Sequence, residues 1–220
     1  MHRSTRQNRL STHLSAPRTR RAPRAGHAPS RPVVAYRQRG QGKTLSNSFN
    51  APELWHEPRD AAEIRYHVQP AGKGYVHAVT VQEVRDRLTL LPEHVMAGLE
   101  VVQLSRMTRK RALFPCYGMQ WGCAVYLYPV EETLVETYVR PPRPEQIKEA
   151  GMYGGRWYED GRFWKLAWTA ETVRDFYLNN VLIHEVGHVY DTWNSSFDAR
   201  ERYANWFAEE YGFRASRGRR

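Results

Sequence analysis

The clearest pattern in the chain is a C-terminal stretch in which apolar residues recur at helical spacing. The residues that form this repeat are Val173, Tyr177, Val181, Ile183 and Val186. Ala170–Trp193 contains no proline and a single glycine, and Thr169 before it is a residue type that caps helices. This pattern predicts a long helix over Ala170–Trp193. After the polar break Asn194–Ser196, a second helix is predicted over Asp198–Tyr211.

Upstream of this helical pair, the chain has the pattern of short strands. The runs that are β-rich or alternate in polarity are Glu63–Gln69, Gly74–Val79, Glu100–Leu104, Cys123–Tyr128, Leu134–Val139 and Phe163–Trp168. The fourth and fifth runs are separated by a short acidic turn with a proline, which predicts that they form a hairpin.

Short helices and loops are predicted between these strands. A capping box at Thr80–Glu83 predicts a helix that ends near Leu90, and Pro92 begins a short helix through Ala97. Arg106–Arg111 is interpreted as a basic surface loop. Residues 143–161 are expected to hold a short helix and then a glycine-containing loop. Strands first and helices afterwards predict an α+β fold, a small mixed sheet packed on the two C-terminal helices.

The net charge of +10 is concentrated at the two ends of the chain. Residues 1–52 contain eleven Arg or Lys and no acid, residues 53–213 carry a net charge of −5, and residues 214–220 carry four arginines. The first 50 residues lack apolar periodicity, so we predict a disordered Arg-rich tail at 1–50, a domain at 51–213 and a basic tail at 214–220. The long tail is consistent with nucleic-acid binding, an organelle transit peptide or a solvated segment.

Composition excludes several protein classes. No apolar run approaches the ~18–20 residues of a membrane span, and no secretory signal is recognised, so no membrane partner and a cytoplasmic location are expected. The two cysteines, Cys116 and Cys123, cannot build a disulfide scaffold and lack the short spacing of a zinc knuckle. We interpret them as buried or free thiols.

Candidate chemistry lies on the predicted long helix. His184-Glu185-Val186-Gly187-His188 matches the pattern H-E-x-x-H. Histidines four residues apart share one helical face, so two imidazole nitrogens can meet one Zn²⁺ ion, and Glu185 can act as general base on zinc-bound water. Gly187 costs about 1 kcal/mol relative to alanine inside a helix, which suggests a close backbone approach by a neighbouring element.

A third ligand is expected on the second helix. His188 lies about seven residues before the turn and Glu201 about five residues after it, which places them at similar heights in an antiparallel pair. Glu209 lies further along and is the alternative ligand. Two histidines, one carboxylate and an open fourth position are typical of a catalytic zinc site.

These residues resemble the gluzincin-type zincin metallopeptidases. HEVGHVYD followed by ERYANWFAEEY is similar to ImmA/IrrE-type peptidases and to anthrax-lethal-factor-like domains, whose second helix has the pattern E-x-x-A-x-x-F-A. The resemblance covers roughly residues 115–212 and implies that Glu201 is the third zinc ligand. It also implies that Cys123–Tyr128 is the edge strand that lines the substrate groove.

The resemblance implies a zinc metalloendopeptidase that binds one Zn²⁺ and acts on a protein or peptide substrate. A tyrosine or a histidine should stabilise the oxyanion, and Tyr190, Tyr203 and Tyr153 are candidates. Asp191 is either an acceptor for a ligand imidazole or a solvated helix residue. The alternative functions are a nucleic-acid-associated protein on a zincin-like scaffold, which the Arg-rich tails favour, and an interaction protein with a degenerate metal site.

Overall fold

The computed structural model describes residues 51–59 and 63–218, and these form a mixed α and β structure. Strands and short helices occupy the chain up to Ala167, and helices follow. The predicted α+β class is therefore confirmed. The segment predicted to be disordered, 1–50, lies outside the described residues. In the part of the chain that the structure describes, no helix is long and apolar enough to cross a lipid bilayer.

The strands form three small sheets. They are β1 (Arg65–Val68), β2 (Tyr75–Val76), β3 (Val101–Leu104), β4 (Gly118–Trp121), β5 (Ala124–Leu127), β6 (Val130–Glu131), β7 (Val135–Tyr138), β8 (Arg156–Glu159) and β9 (Trp164–Ala167). The principal sheet has the order β1-β3-β5-β4, in which β1, β3 and β5 run parallel and β4 pairs antiparallel with β5. The other two sheets pair β2 with β6, and β7 with β9 and β8.

Two expectations about the strand run Cys123–Tyr128 are wrong. This run forms β5, which lies between β3 and β4, so it is an interior strand and not the edge strand. The two edge strands of this sheet are β1 and β4. The hairpin with Leu134–Val139 is also wrong, because β6 follows β5 and pairs with β2, while β7 pairs with β9. The strand predicted over Phe163–Trp168 is confirmed as β9.

The helices are α1 (Val81–Leu88), α2 (Arg109–Leu113), α3 (Pro144–Met152), α4 (Ala170–Phe176), α5 (Leu182–Tyr190) and α6 (Phe197–Phe207). The predicted capping box is present at Thr80, whose side chain accepts a hydrogen bond from the backbone N–H of Glu83. The short helix expected after Pro92 is a 3₁₀ turn over Glu93–Met96. Part of the loop predicted at 143–161 is β8.

The basic segment Arg106–Arg111 is only partly a surface loop, because Arg106 and Arg109 are exposed but Arg111 is not. Its end enters α2, and Arg111 is buried with its guanidinium 4.5 Å from the centre of the Tyr128 ring and 3.3 Å from the Glu53 carboxylate. A charged side chain is rarely buried without such a partner. The interpretation as a surface patch is therefore wrong for Arg111.

The predicted long helix is present as one helical stretch from Ala170 to Tyr190, three residues shorter than expected. A π-helical segment, Tyr177–Val181, joins α4 to α5, and a second one, Ala208–Arg214, extends α6. The C-terminal basic residues begin within this extension. Beyond the extension, Arg217 forms an ion pair of 2.7 Å with Asp175 of α4, so the predicted basic tail is attached to the domain at this point.

The principal sheet places α5 beside β4. Buried apolar residues of β3, β5 and α5 form one core, among them Val102, Val125 and Ile183. Residues 51–59 contact the opposite face, where His56 Nε2 lies 2.8 Å from Gln103 Oε1. The cysteines Cys116 and Cys123 are both free thiols. The packing of α5 against β3 and β5 in this core fixes the height of α5 relative to the sheet edge.

Candidate metal centre

Two histidines of α5 face the following helix. His184 and His188 stand four residues apart, and their ring centroids are 4.7 Å apart. His184 is 1% exposed. Burial, with the charge of His188 as a second cause, holds the pKa of His184 well below its usual value. The neutral imidazole that this favours is the form that has a lone pair for a metal ion.

Glu201 of α6 completes the group. Its carboxylate oxygens lie 3.4 Å from His188 Nε2 and 3.8 Å from His184 Nε2. One ligand atom from each of the three residues lies within 4.8 Å of the others. Donors bound to one tetrahedral zinc ion are roughly 3.4 Å apart, as ligand distances of about 2.0–2.2 Å require. Only small side-chain shifts therefore separate this arrangement from a zinc site.

The alternative third ligand lies elsewhere. Glu209 belongs to the π-helical extension of α6, and its carboxylate pairs with Arg214 at 2.9 Å. The structure thus brings Glu201, and not Glu209, to the histidines. This outcome agrees with the height argument from the sequence, since Glu209 lies eight residues further along the same helix.

The close contact of α5 with α6 positions the ligands. A Cβ at Gly187 would lie 3.0 Å from Cβ of Phe207 and 3.2 Å from Cα of Ala204. The predicted close approach at Gly187 is therefore confirmed, and the approaching element is α6. Any larger residue at this position would press on the helix that carries Glu201.

A second contact fixes the end of α5. Arg200, next to Glu201, donates to the backbone C=O of His188 (2.8 Å) and of Asp191 (2.6 Å). Asp191 is 1% exposed, and its carboxylate accepts hydrogen bonds from the backbone and side chain of Asn194. Its hydrogen-bond donors thus belong to the turn between the helices, and Arg200 of α6 lies 4.0 Å from its carboxylate.

Asn205 is a residue that sequence reasoning did not single out. It lies four residues after Glu201 on α6, and its side chain lies beside His184, where it opposes the lowering of the His184 pKa. Metal-ligating histidines usually have such a partner, which orients the ring. The signal was available in the sequence, because positions i and i+4 on α6 share one face.

Glu185 lies on the side of α5 that faces the sheet edge. It is 3% exposed, and its carboxylate accepts a hydrogen bond from the backbone N–H of Gln120 in β4. Burial raises the pKa of Glu185 well above its usual value, and the charge of Glu201 adds to this, while the Gln120 hydrogen bond opposes it. Glu185 is thus a buried carboxylate held next to the ligand cluster without being part of it.

Gly118 makes room for this carboxylate. A Cβ at position 118 would lie 2.7 Å from Cγ1 of Val181 and 2.8 Å from Oε1 of Glu185. Real Cβ atoms do not approach other atoms this closely, so a glycine is required if Glu185 is to keep its place. The short strand β4 therefore contributes both the donor and the space for Glu185.

The outer side of β4 carries backbone groups that do not pair with β5, and one of them, the N–H of Gln120, is used by Glu185. The backbone N–H of Tyr128 donates to the C=O of Tyr117 (2.8 Å), and pairs alternate along an antiparallel ladder. The backbone groups of Gly118 and Gln120 therefore point away from β5. An extended peptide can pair with such an edge.

The predicted oxyanion tyrosines take different places. Tyr190 and Tyr203 contact Trp193 with ring centroids 5.5 and 5.0 Å away, and Trp206 continues this aromatic cluster. Burial raises the pKa of Tyr203 to about 12. Tyr153, unlike these two tyrosines, lines a cleft that Glu201 also lines.

Comparison of the chain with protein-family models, with curated proteins and with solved structures gives no match in any of the three. The function must therefore be inferred from the chemistry and geometry of these residues.

Proposed function

We propose that the chain is a zinc-dependent peptidase that hydrolyses peptide bonds of a protein substrate on a zincin-like fold. The observation that carries the proposal is the convergence of His184, His188 and Glu201 within 4.8 Å, with the buried carboxylate of Glu185 beside them. Separate elements contribute these groups, and each is held by specific contacts.

The ligand set suits zinc in its chemistry. Two imidazoles and one carboxylate are borderline ligands that Zn²⁺ accepts, and three protein ligands leave a fourth position for a reactant. Bound Zn²⁺ would supply Lewis acidity, which polarises a peptide carbonyl and lowers the pKa of water. Arg200 and Asn205 would keep the ligand side chains in register.

Glu185 is the proposed general base. Its carboxylate accepts the proton of the attacking water and returns it to the nitrogen of the departing amine. The Gln120 N–H keeps the carboxylate oriented. Burial beside the sheet excludes bulk water from its proton path.

The edge strand β4 supplies a way to hold the substrate. The backbone N–H of Gly118 and the C=O groups of Gly118 and Gln120 point away from β5 and favour pairing with an extended peptide, while the N–H of Gln120 remains with Glu185. Such pairing reads backbone and not sequence, so it is suited to a protein substrate. It also places that peptide on the side of α5 where Glu185 lies.

The test compares three proteins loaded with Zn²⁺ on a denatured, unstructured protein substrate. Wild type should bind zinc and hydrolyse the substrate. Glu185→Gln should bind zinc with no detectable hydrolysis, because the amide cannot take the proton. His188→Ala should lose zinc and hydrolysis together. Equal cleavage by wild type and Glu185→Gln would refute the proposal.

A nucleic-acid-associated protein on the same scaffold is the second candidate. It is favoured by the eleven basic residues without an acid in residues 1–52. Deleting residues 1–50 should then abolish binding to DNA or RNA and its salt dependence. Binding that persists unchanged after the deletion contradicts this candidate.

A further inference from the structure

A cleft of 660 Å³ lies beside the candidate centre, a volume within the usual range of ligand sites. It is bordered by α3, the small sheet β7-β9-β8, the end of α4 and one face of α6. Its floor is apolar and largely aromatic, and is made by Tyr138, Trp157, Leu166, Trp168 and Phe176.

The cleft is continuous with the metal-binding residues. Glu201 and Asn205 both line it, and they are respectively a candidate ligand and the partner of His184. Asn180, which precedes His184 by four residues, lines it from the other helix. A group that occupies the cleft is therefore adjacent to the ligand cluster.

The cleft lining contains three basic and five acidic side chains. The bases are Arg143, Lys148 and Arg202, and the acids are Glu145, Glu149, Asp198, Glu201 and Glu209. Glu209 is paired with Arg214 and Glu201 is a candidate metal ligand, so the three acids that remain match the three bases. Charge at the rim thus does not select a cationic or an anionic group, which leaves shape and apolar contact as the basis of selection.

The floor is held in place from below by one buried carboxylate. Glu136 of β7 accepts hydrogen bonds from the hydroxyl groups of Tyr117 (2.6 Å) and Tyr138 (2.9 Å) and from Nε1 of Trp168 (3.0 Å). Their polar atoms are turned to Glu136, so the rings present carbon to the cleft. A pre-formed apolar surface of this kind binds without first having to order its side chains.

We infer that this cleft is the specificity subsite of the proposed peptidase and that it takes a bulky apolar side chain of the substrate, aromatic or long aliphatic. The inference rests on the proposed function, because the cleft receives a peptide substrate only if the protein is a peptidase. The preference for an apolar side chain is inferred from the apolar floor and the balanced charges at the rim. The location of the subsite is inferred from Glu201, which belongs to both the cleft and the ligand cluster. Trp157 is its most accessible ring and therefore the residue to alter.

The experiment is a cleavage-site profile on peptides from a denatured protein mixture, read by mass spectrometry. Zinc-loaded wild type should cut next to large apolar residues roughly tenfold or more above their abundance, the size of discrimination that an apolar pocket gives. Trp157→Ala should reduce this preference severalfold. Trp206→Ala, which truncates an exposed tryptophan outside the cleft, is the matched control and should keep it. Cleavage without preference, or a preference untouched by Trp157→Ala, overturns the inference.

A binding measurement separates this inference from the proposed function. Glu185→Gln is titrated with a blocked alanine pentapeptide that has one central phenylalanine, and with the all-alanine peptide, up to about 1 mM, the top of the usual KM range. Tryptophan fluorescence should change with the first peptide only, and Trp157→Ala in this background should abolish the change. If this binding is observed but wild type shows no hydrolysis, the proposed peptidase activity is refuted and the apolar subsite is supported. Absence of binding overturns the subsite even if hydrolysis occurs.

Discussion

The two sides of α5 prepare different parts of the proposed chemistry. On the side towards α6, His184 and His188 meet Glu201, and the contact is a close helix pair with Gly187 at its centre. On the side towards the sheet, Glu185 is held by a backbone N–H of β4 in the space that Gly118 leaves. Helix α5 thus carries two of the three ligands and the base, but α6 places the ligands and β4 places the base.

This difference implies that metal binding and proton transfer can be damaged independently. A change in the α5–α6 contact should act on zinc affinity first. A change in the α5–β4 contact should act on hydrolysis while zinc stays bound. A glycine lies at the closest point of each contact, so the same substitution, glycine to alanine, can be made on both sides.

The largest effect is expected on the base side from Glu185→Gln. The amide keeps the size of the side chain but removes its basicity, so kcat should fall by about 10²–10⁴-fold, the usual contribution of a general base. Zinc content and thermal stability should stay near those of wild type. The measurement is steady-state hydrolysis beside metal analysis of the same sample. A loss of zinc in this variant would mean that the two sides are not separable.

Gly118→Ala is expected to follow in size. The added Cβ cannot coexist with Glu185 and Val181 in their present places, so the carboxylate must shift away from its donor. A displacement of about 1 Å near the reacting atoms costs on the order of 10²-fold in rate. Zinc affinity should be unchanged. Wild-type kcat in a correctly folded Gly118→Ala protein contradicts the role given to β4.

Gly187→Ala should act on the metal instead. Its Cβ would lie 3.0 Å from Phe207, so α6 and Glu201 must move by a few tenths of an ångström. We expect zinc affinity to fall about tenfold, the lower end for changes around metal ligands. The helical preference of alanine, about 1 kcal/mol, offsets part of the loss in stability. Competition with a zinc-binding dye measures the affinity, and an unchanged value would show that α6 is not positioned by this contact.

The smallest effect is expected on the pH dependence of stability, through Glu136, which lies beneath the floor of the cleft. Burial raises the pKa of Glu136, and the hydrogen bonds from Tyr117, Trp168 and Tyr138 oppose the shift. The folded state then binds the Glu136 proton more tightly than the unfolded state. Its contribution to stability is full below the unfolded carboxyl pKa and is lost as pH rises through the raised folded pKa, at most about 1.4 kcal/mol per pH unit.

Glu136→Gln should remove this part of the pH dependence, and its amide oxygen can still accept from Tyr117 and Trp168 while its NH2 group faces the Tyr138 hydroxyl as a donor. The free energy of unfolding is measured by urea titration at several pH values, for wild type and the variant. The difference between the two proteins should grow in favour of the variant as pH rises. A difference that stays constant with pH would show that Glu136 does not titrate in this range.

The helical hairpin was predictable because its signals are local. Periodic apolar residues, the caps at Thr169 and Ser196, and the spacing of His184 and His188 all act within one or two turns. Glu201 was predicted as a ligand from helix geometry, because the break between the helices fixes the heights of His188 and Glu201 along the helix pair. The glycine penalty at Gly187 correctly indicated a close neighbour.

The sheet was predicted less well because its pairing is not local. β5 pairs with β3, more than twenty residues earlier, and β7 pairs with β9 after an intervening helix. Nothing within Cys123–Tyr128 distinguishes these partners from a hairpin with the next run. β4 was missed altogether, since Gly118–Trp121 has no β-branched residue. The donor at Gln120 and the space at Gly118 therefore appeared only in the folded chain.

The central claim is that His184, His188 and Glu201 form a zinc site, and metal analysis of the purified protein by mass spectrometry tests it most directly. The prediction is about one zinc ion per chain, retained by Glu185→Gln and lost by His188→Ala and Glu201→Gln. Addition of zinc to metal-free wild type should also raise Tm, because only the folded chain holds the three ligands together. Absence of zinc from wild type after reconstitution, with no change in Tm, would contradict the claim.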